Sequence, residues 1–100
     1  MTALYGPDDT IVLTAGEAGY FGPYFNDVWG TKDGGNWTLL NADSGFSKRS
    51  GNLLLNANSS LFTFGGYGLP MKHDAYCLSQ SGGLGAKWLA LPEAPWKVRA

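Results

Sequence analysis

The chain has 100 residues, a normal length for one domain, and its 44% hydrophobic content is enough to build a core. Charged residues make up only 15% of it, whereas glycine (15 residues) and aromatic residues (14%) are abundant. This composition favours many short strands joined by tight turns over helices. The formal net charge of −1, with seven scattered basic residues, excludes the electrostatic footprint of a protein that binds nucleic acid or an anionic membrane.

Cysteine usage and targeting signals narrow the class further. Cys77 is the single cysteine, so the sequence has neither a disulfide framework nor a zinc-type spacing. The first ten residues lack the basic and apolar regions of a secretory signal, and no apolar run is long enough to span a membrane. We therefore expect a soluble protein with no metal and no cofactor, and the sequence leaves its compartment open.

The first half of the chain predicts four short strands. Apolar and β-branched segments alternate there with clusters of glycine, proline, asparagine and aspartate, which form turns. The predicted strands are Ala3–Tyr5, Thr10–Thr14, Phe25–Thr31 and Trp37–Leu40. Asp33-Gly34-Gly35-Asn36 is a strong hairpin signal, because these residues accept the positive φ that primed turns require. Asn41–Arg49 is interpreted as a polar linker.

The second half repeats this order of elements. Its predicted strands are Asn52–Asn56, Leu61–Phe64, Asp74–Leu78 and Lys87–Leu91. Several residues recur at similar spacings in the two halves: Gly16 and Gly66, Leu4 and Leu54, Arg49 and Arg99, Asp27 and Asp74, and Trp37 and Trp88. The spacings differ only by insertions in loops, as a structural repeat should show. The sequence thus predicts two units, residues 1–50 and 51–100, each with four strands in hairpin-like order.

The anchor residues carry a family resemblance. Gly65-Gly66 ends the second predicted strand of the second unit, Tyr76 lies in the third, and Trp88 lies in the fourth. The first unit has Ala15-Gly16, Trp29 and Trp37 at the same places. With four antiparallel strands and a period near fifty, this pattern resembles the kelch repeat of β-propellers. The resemblance covers nearly the whole chain, and it departs from the family at Ala15 and in the longer Ser81–Ala86 turn.

The resemblance implies an all-β fold of two four-stranded antiparallel kelch-like blades, part of an incomplete β-propeller. Continuous apolar runs (TIVLT, NLLLN and LFTF) favour sheets that are buried on both faces. Trp37 and Trp88, on the fourth strands, are expected to reach the neighbouring blade. Because a propeller typically closes with four to eight blades, two blades alone would leave apolar faces and strand edges in water. We therefore favour a piece of a longer propeller, and the alternative is a ring closed by association of copies.

One turn of the first half also resembles a motif found in propeller enzymes. Thr31, Asp33, Gly35 and Trp37 resemble the Asp-box turn of sialidase-type propellers, Ser/Thr-x-Asp-x-Gly-x-Thr-Trp, with one residue missing before the tryptophan. In that family the box is a structural hairpin distant from the active site, so the resemblance implies fold and not catalysis. We expect Asp33 to organise its own turn. A sialidase site would also need three arginines, and this chain has only Arg49 and Arg99.

A resemblance to galactose oxidase, a kelch-type enzyme, would imply a copper site. That site takes two histidines and two tyrosines, and one of the tyrosines is crosslinked to a cysteine. Here His73 is the single histidine, and Tyr76 and Cys77 are adjacent, so their side chains should point to opposite faces of a strand. No copper site can be assembled from this chain alone. The carboxylates fall in turns and at strand starts, and Asp27 and Asp74 at matching positions suggest a shared structural role.

The sequence therefore predicts a non-catalytic binding or scaffold module whose loops at one rim contact a protein or a glycan. The candidate loops are Gly16–Pro23 and Gly65–Pro70, which are rich in glycine and carry aromatic residues. The candidate binding residues are Tyr20, Phe21, Tyr67, Arg49 and Arg99. The alternative is a fragment of a carbohydrate-active propeller enzyme whose catalytic residues lie outside this chain. Asn36 and Asn58 begin N-glycosylation sequons, which would matter only in a secreted protein.

Overall fold

The computed structural model describes residues 2–5, 9–19, 22–57, 60–68, 72–79, 83–92 and 95, and for residues 2–5, 72, 73 and 79 it describes the backbone alone. The regular structure in these ranges is β-strand. The eight strands are β1 (Thr2–Tyr5), β2 (Ile11–Thr14), β3 (Val28–Thr31), β4 (Thr38–Asn41), β5 (Leu53–Ala57), β6 (Ser60–Gly66), β7 (Lys72–Ser79) and β8 (Leu89–Ala90).

The strands form two four-stranded antiparallel sheets in which every strand pairs with its neighbour in sequence. Sheet 1 has the order β1-β2-β3-β4 and sheet 2 the order β5-β6-β7-β8. The all-β prediction is confirmed, and each strand overlaps the segment predicted for it. The short connections explain this order, because hairpins join sequential antiparallel strands directly.

The pairing registers of the two sheets match. Thr14 lies opposite Val28 in sheet 1, and Phe64 lies opposite Ala75 in sheet 2. Residues of β2 therefore correspond to residues of β6 fifty positions later, and residues of β3 correspond to residues of β7 47 positions later. The first strands differ from the predicted correspondence. Leu4 pairs with Val12 and Leu55 pairs with Phe62, which makes Leu55, and not Leu54, the counterpart of Leu4.

The core lies between the two sheets and includes the linker that joins them. Its buried apolar residues are Val12, Ala15, Val28, Phe46, Leu54, Leu61, Leu78 and Trp88. Phe46 is 1% exposed and packs edge-on against Trp88, with 5.6 Å between the ring centroids. Asn41–Arg49 joins the two sheets, as predicted for a linker, but Ser44, Phe46 and Arg49 within it are buried.

Each sheet buries one face more completely than the other. Residues alternate between faces along a strand, and directly opposed residues on paired strands share a face. In sheet 1 the core face carries Val12, Thr14, Val28 and Gly30, and in sheet 2 it carries Leu54, Leu61, Thr63 and Leu78. Leu53 and Leu55, on the other face of β5, are 61% and 44% exposed. The expectation that the apolar runs are buried on both faces is not met for NLLLN, whereas the outward side chains of TIVLT and LFTF are half-buried.

When the two sheets are compared in their matched registers, the face that sheet 1 turns to the core is the face that sheet 2 turns away from it. In the matched registers Val12 and Thr14 correspond to Phe62 and Phe64, which point away from the core of sheet 2. Conversely, the core residue Thr63 corresponds to Leu13, which lies on the outer face of sheet 1. Ala75 and Thr31 are exceptions, since both are buried although they belong to the outer faces of sheet 2 and sheet 1. The sheets therefore stack in the same sense, front against back, and not as a two-fold sandwich.

The glycines after β2 and within the end of β6 hold backbone that few other residues adopt. Gly16 has φ 115° and Gly66 has φ 106°. A Cβ on Gly66 would lie 2.7 Å from the carbonyl oxygen of Ser50, so the chain there also depends on a close backbone approach. Ala15 has φ 62°, a left-handed conformation that is costly for a residue with a Cβ.

Candidate functional site

The rim at which β2 and β6 end is assembled from both units by a short additional ladder. Glu17 bridges Tyr24, Phe25 bridges Arg49, and Ser50 bridges Tyr67, each in the antiparallel sense. Ser50 and Tyr67 exchange two main-chain hydrogen bonds, of 2.8 and 2.6 Å. This ladder brings the described parts of the two predicted contact loops to opposite sides of residues 49 and 50.

The described part of this rim exposes aromatic side chains. Tyr67 is 49% exposed and Phe25 is 39% exposed, whereas Tyr24 is half-buried. The exposed Glu17 accepts a hydrogen bond of 3.1 Å from the Ser50 hydroxyl, which places a carboxylate at the junction of the loops. Aromatic surface beside an oriented acceptor is suited to packing against a side chain or a sugar ring and to accepting a hydrogen bond from it.

Arg49 lies beneath the rim and is fully buried. All five of its N–H donors are used: Nε donates to Ser47 O, Nη1 donates to Gly65 O and to Asp74 Oδ1, and Nη2 donates to Ser47 Oγ and to Asp74 Oδ2. The two contacts with Asp74 are 2.6 and 3.0 Å long and form a bidentate ion pair.

Aromatic rings cover the same guanidinium. The ring centroids of Phe46 and Tyr76 lie 5.3 and 5.6 Å from its central carbon. Arg49 thus connects the linker, the glycines of β6 and the start of β7. The structure places this predicted binding residue in the interior, where its hydrogen bonds hold the rim ladder in position.

Asp27 and Asp74 occupy matching positions but have different partners. Asp27 Oδ2 accepts a hydrogen bond of 2.9 Å from Trp29 Nε1, whereas Asp74 pairs with Arg49. Trp37 and Trp88 also match in register, and both precede the fourth strand, where the sequence had placed them within it. Trp88 is 3% exposed but Trp37 is 40% exposed, because only Trp88 faces the other sheet.

The Asp-box-like turn is held by Asp33. Its Oδ1 accepts hydrogen bonds of 2.8 Å from the main-chain N–H groups of both Gly35 and Asn36, and its Oδ2 accepts one of 2.9 Å from the Asn36 side chain. These bonds favour the ionised form and hold the pKa of Asp33 far below its ordinary value. The Thr31 hydroxyl lies 3.1 Å from Asp33 Oδ1. The turn is therefore organised by its own aspartate, as the sequence predicts.

An open cavity of 410 Å³ lies beside this turn, between the first unit and the β7–β8 connection. Its walls include Lys32, Asp33, Asn36, Thr38 and, from the second unit, Leu84. Asn36, which begins a sequon, is exposed but donates its side-chain amide to Asp33. The cavity is a further candidate place for a small ligand on the described surface.

Several predicted residues cannot be placed. Tyr20, Phe21, Arg99 and Asn58 lie outside the described residues, and for His73 only the backbone is described, within β7. Among the residues that the structure describes, no group of three or more His, Cys, Asp or Glu could hold a metal ion. The described ranges also contain no helix that is long and apolar enough to cross a membrane.

Sequence reasoning overlooked Phe25, Glu17 and Phe46. Phe25 was counted as part of a strand, although it lies in the rim ladder before β3. A signal for Phe46 was present, because the spacing Phe46-x-x-Arg49 recurs as Trp96-x-x-Arg99, fifty residues later. Comparisons of the chain with protein-family models, with curated proteins and with solved structures found no match.

Proposed function

We propose that the two sheets are consecutive kelch-like blades of a β-propeller and that the chain is a non-catalytic binding module. The stacking of the sheets supports the architecture. Repeated units that pack front against back turn opposite faces towards one another. Val12 and Thr14 of sheet 1 face the core, whereas their counterparts in sheet 2, Phe62 and Phe64, face away from it. Sequential antiparallel order within each sheet is also the order of a propeller blade.

The binding function is carried by one observation, the rim ladder. Main-chain bridges at Arg49 and Ser50 join the loop of each unit to the linker, and the described part of the resulting surface exposes Phe25 and Tyr67 with Glu17 nearby. Loops fixed on a rigid sheet are the usual place for recognition, and aromatic anchors commonly dominate such contacts. The ligand in this proposal is a protein segment or a glycan that packs against the aromatic rings. Tyr20 and Phe21 extend the same loop in sequence and remain predicted contacts.

Ligand mapping by NMR tests this proposal. The ¹⁵N-labelled chain would be titrated with a panel of simple saccharides and short aromatic or basic peptides, and amide shifts would be recorded. We expect the shifts to concentrate at residues 16–19, 22, 24, 25, 49–51 and 65–68. A response to saccharides alone identifies a glycan-binding rim, and a response to peptides alone identifies a protein-binding rim.

Two variants sharpen this test. Phe25→Ala with Tyr67→Ala should abolish the shifts, whereas Lys32→Ala, which alters the cavity beside the Asp33 turn, should leave them unchanged. Shifts that concentrate around the cavity and disappear in the Lys32 variant would move the binding site there and refute the rim proposal. Absence of any shift across the whole panel would also count against a binding rim of this chemistry.

A further inference from the structure

Both sheets present an apolar outer face. On sheet 2 this face carries Leu53, Leu55, Phe62, Phe64, Cys77 and Leu89. Leu53 and Leu89 are 61% and 64% exposed, and the rings of Phe62 and Phe64 stack with centroids 6.2 Å apart. On sheet 1 the outer face carries Ile11, Leu13, Trp29, Trp37 and Leu39, and Leu39 is 45% exposed. An open stack of repeats needs polar outer faces on its terminal units, and neither of these faces is polar.

Each outer face is the counterpart, in the matched registers, of the core face of the other sheet. The outer face of sheet 2 is the counterpart of the core face of sheet 1, since Phe62 and Phe64 match Val12 and Thr14. The outer face of sheet 1 is the counterpart of the core face of sheet 2, since Leu13 matches Thr63. Placing the outer face of sheet 2 against the outer face of sheet 1 from another molecule therefore repeats the joint already present inside the chain.

We propose that a second copy of this chain occupies each outer face, head to tail. The contact joins Leu53, Leu55 and Phe62 of one copy to Leu13, Trp29 and Leu39 of the next. Trp37 then takes the place that Trp88 has at the internal joint. The inference rests on the propeller architecture proposed above but not on ligand binding at the rim, so the oligomer and the rim site can each fail without the other.

The sequence provides counterparts for the linker at this joint. Phe46 and Arg49 fill the internal joint, and Trp96 and Arg99, which lie outside the described residues, follow them by fifty positions. A contact between different surface patches closes into a ring when the rotation allows it. Typical propellers have four to eight blades, so the ring would contain two to four copies.

The oligomeric state tests the proposal, measured by size exclusion with light scattering. We expect one discrete species of two to four copies for the unaltered chain. Leu39→Lys on sheet 1 and Leu53→Lys on sheet 2 each place a charge on one outer face and should each yield folded monomers. Both leucines are exposed in the single chain, so far-UV circular dichroism should show an intact β fold. Tyr67→Lys, an equally exposed position on the rim, is the matched control and should keep the oligomer.

Mixing the two variants provides the decisive measurement. Each variant keeps one unaltered face, so a head-to-tail contact predicts that the equimolar mixture forms a dimer while each variant alone stays monomeric. An unaltered chain that is folded and monomeric would overturn the proposal. An oligomer that survives either leucine variant would also overturn it, because such an oligomer uses the same face on both partners or a different surface.

Discussion

Removing the carboxylate of Asp74 should destabilise the protein strongly. Asp74→Ala leaves the buried Arg49 guanidinium with two N–H donors lacking their acceptors. Breaking a buried ion pair by removing one partner costs about 3–5 kcal/mol. The Asp74 side chain is 38% exposed, so water can enter and replace part of the contact. We therefore expect a loss of about 3 kcal/mol, a large part of the total stability of a domain of this size.

Urea unfolding followed by tryptophan fluorescence measures this loss. Asp27→Ala is the matched control, since it removes the carboxylate at the equivalent position, whose bond to Trp29 should contribute only about 1 kcal/mol. Arg49→Met combined with Asp74→Ala removes the buried charge together with its partner. The double variant should be more stable than the sum of the single changes predicts, by about 1–3 kcal/mol. Equal losses for Asp74→Ala and Asp27→Ala, or strictly additive changes, would show that the buried pair does not hold the linker.

Three further predictions concern the backbone, the linker and the turn. Gly66→Ala should cost at least about 2 kcal/mol in urea unfolding, because its Cβ would meet backbone, whereas Gly34→Ala, with open space around it, should cost only about 1 kcal/mol. Phe46→Ala should lower the free energy of unfolding by about 3–5 kcal/mol, measured by thermal or urea unfolding, and the exposed Tyr67→Ala should lower it by less than about 1 kcal/mol. Similar losses for the two variants would contradict the burial of Phe46 in the core. The pKa of Asp33 is depressed in the folded state, so its contribution to stability is complete above the ordinary aspartate pKa of 3.8 and is lost as the pH falls below it. The stability difference between the unaltered chain and Asp33→Asn should therefore shrink on acidification, and a difference that grows would contradict this assignment.

The order of the strands could be predicted from the sequence because it depends on local signals. Apolar runs separated by turn residues define each strand, and short connections require sequential antiparallel pairing. The Asp33 turn was predictable for the same reason, since the hydrogen bonds of Asp33 reach only two and three residues along the chain. The glycines at Gly16 and Gly66 were also recognised, because positive φ favours a residue without a side chain.

Burial could not be predicted, because it depends on which surfaces meet. Trp37 and Trp88 occupy equivalent positions in their own sheets, yet only Trp88 faces the other sheet. The run around Leu54 was interpreted as buried on both faces, and the sequence alone does not reveal that Leu53 and Leu55 on one of these faces are exposed. Phe46 stands among polar residues, so its local context suggested a solvated linker.

The ion pair between Arg49 and Asp74 crosses the boundary between the two units, and this has an evolutionary consequence. The arginine belongs to the unit that ends and the carboxylate to the unit that follows. A deletion that removes Asp74 and keeps Arg49 would leave the buried arginine without its partner, which costs about 3–5 kcal/mol. Insertion of a complete fifty-residue unit at the boundary would supply a new aspartate for Arg49 and a new arginine for Asp74. The ion pair therefore favours the addition of sequence at this boundary in complete units.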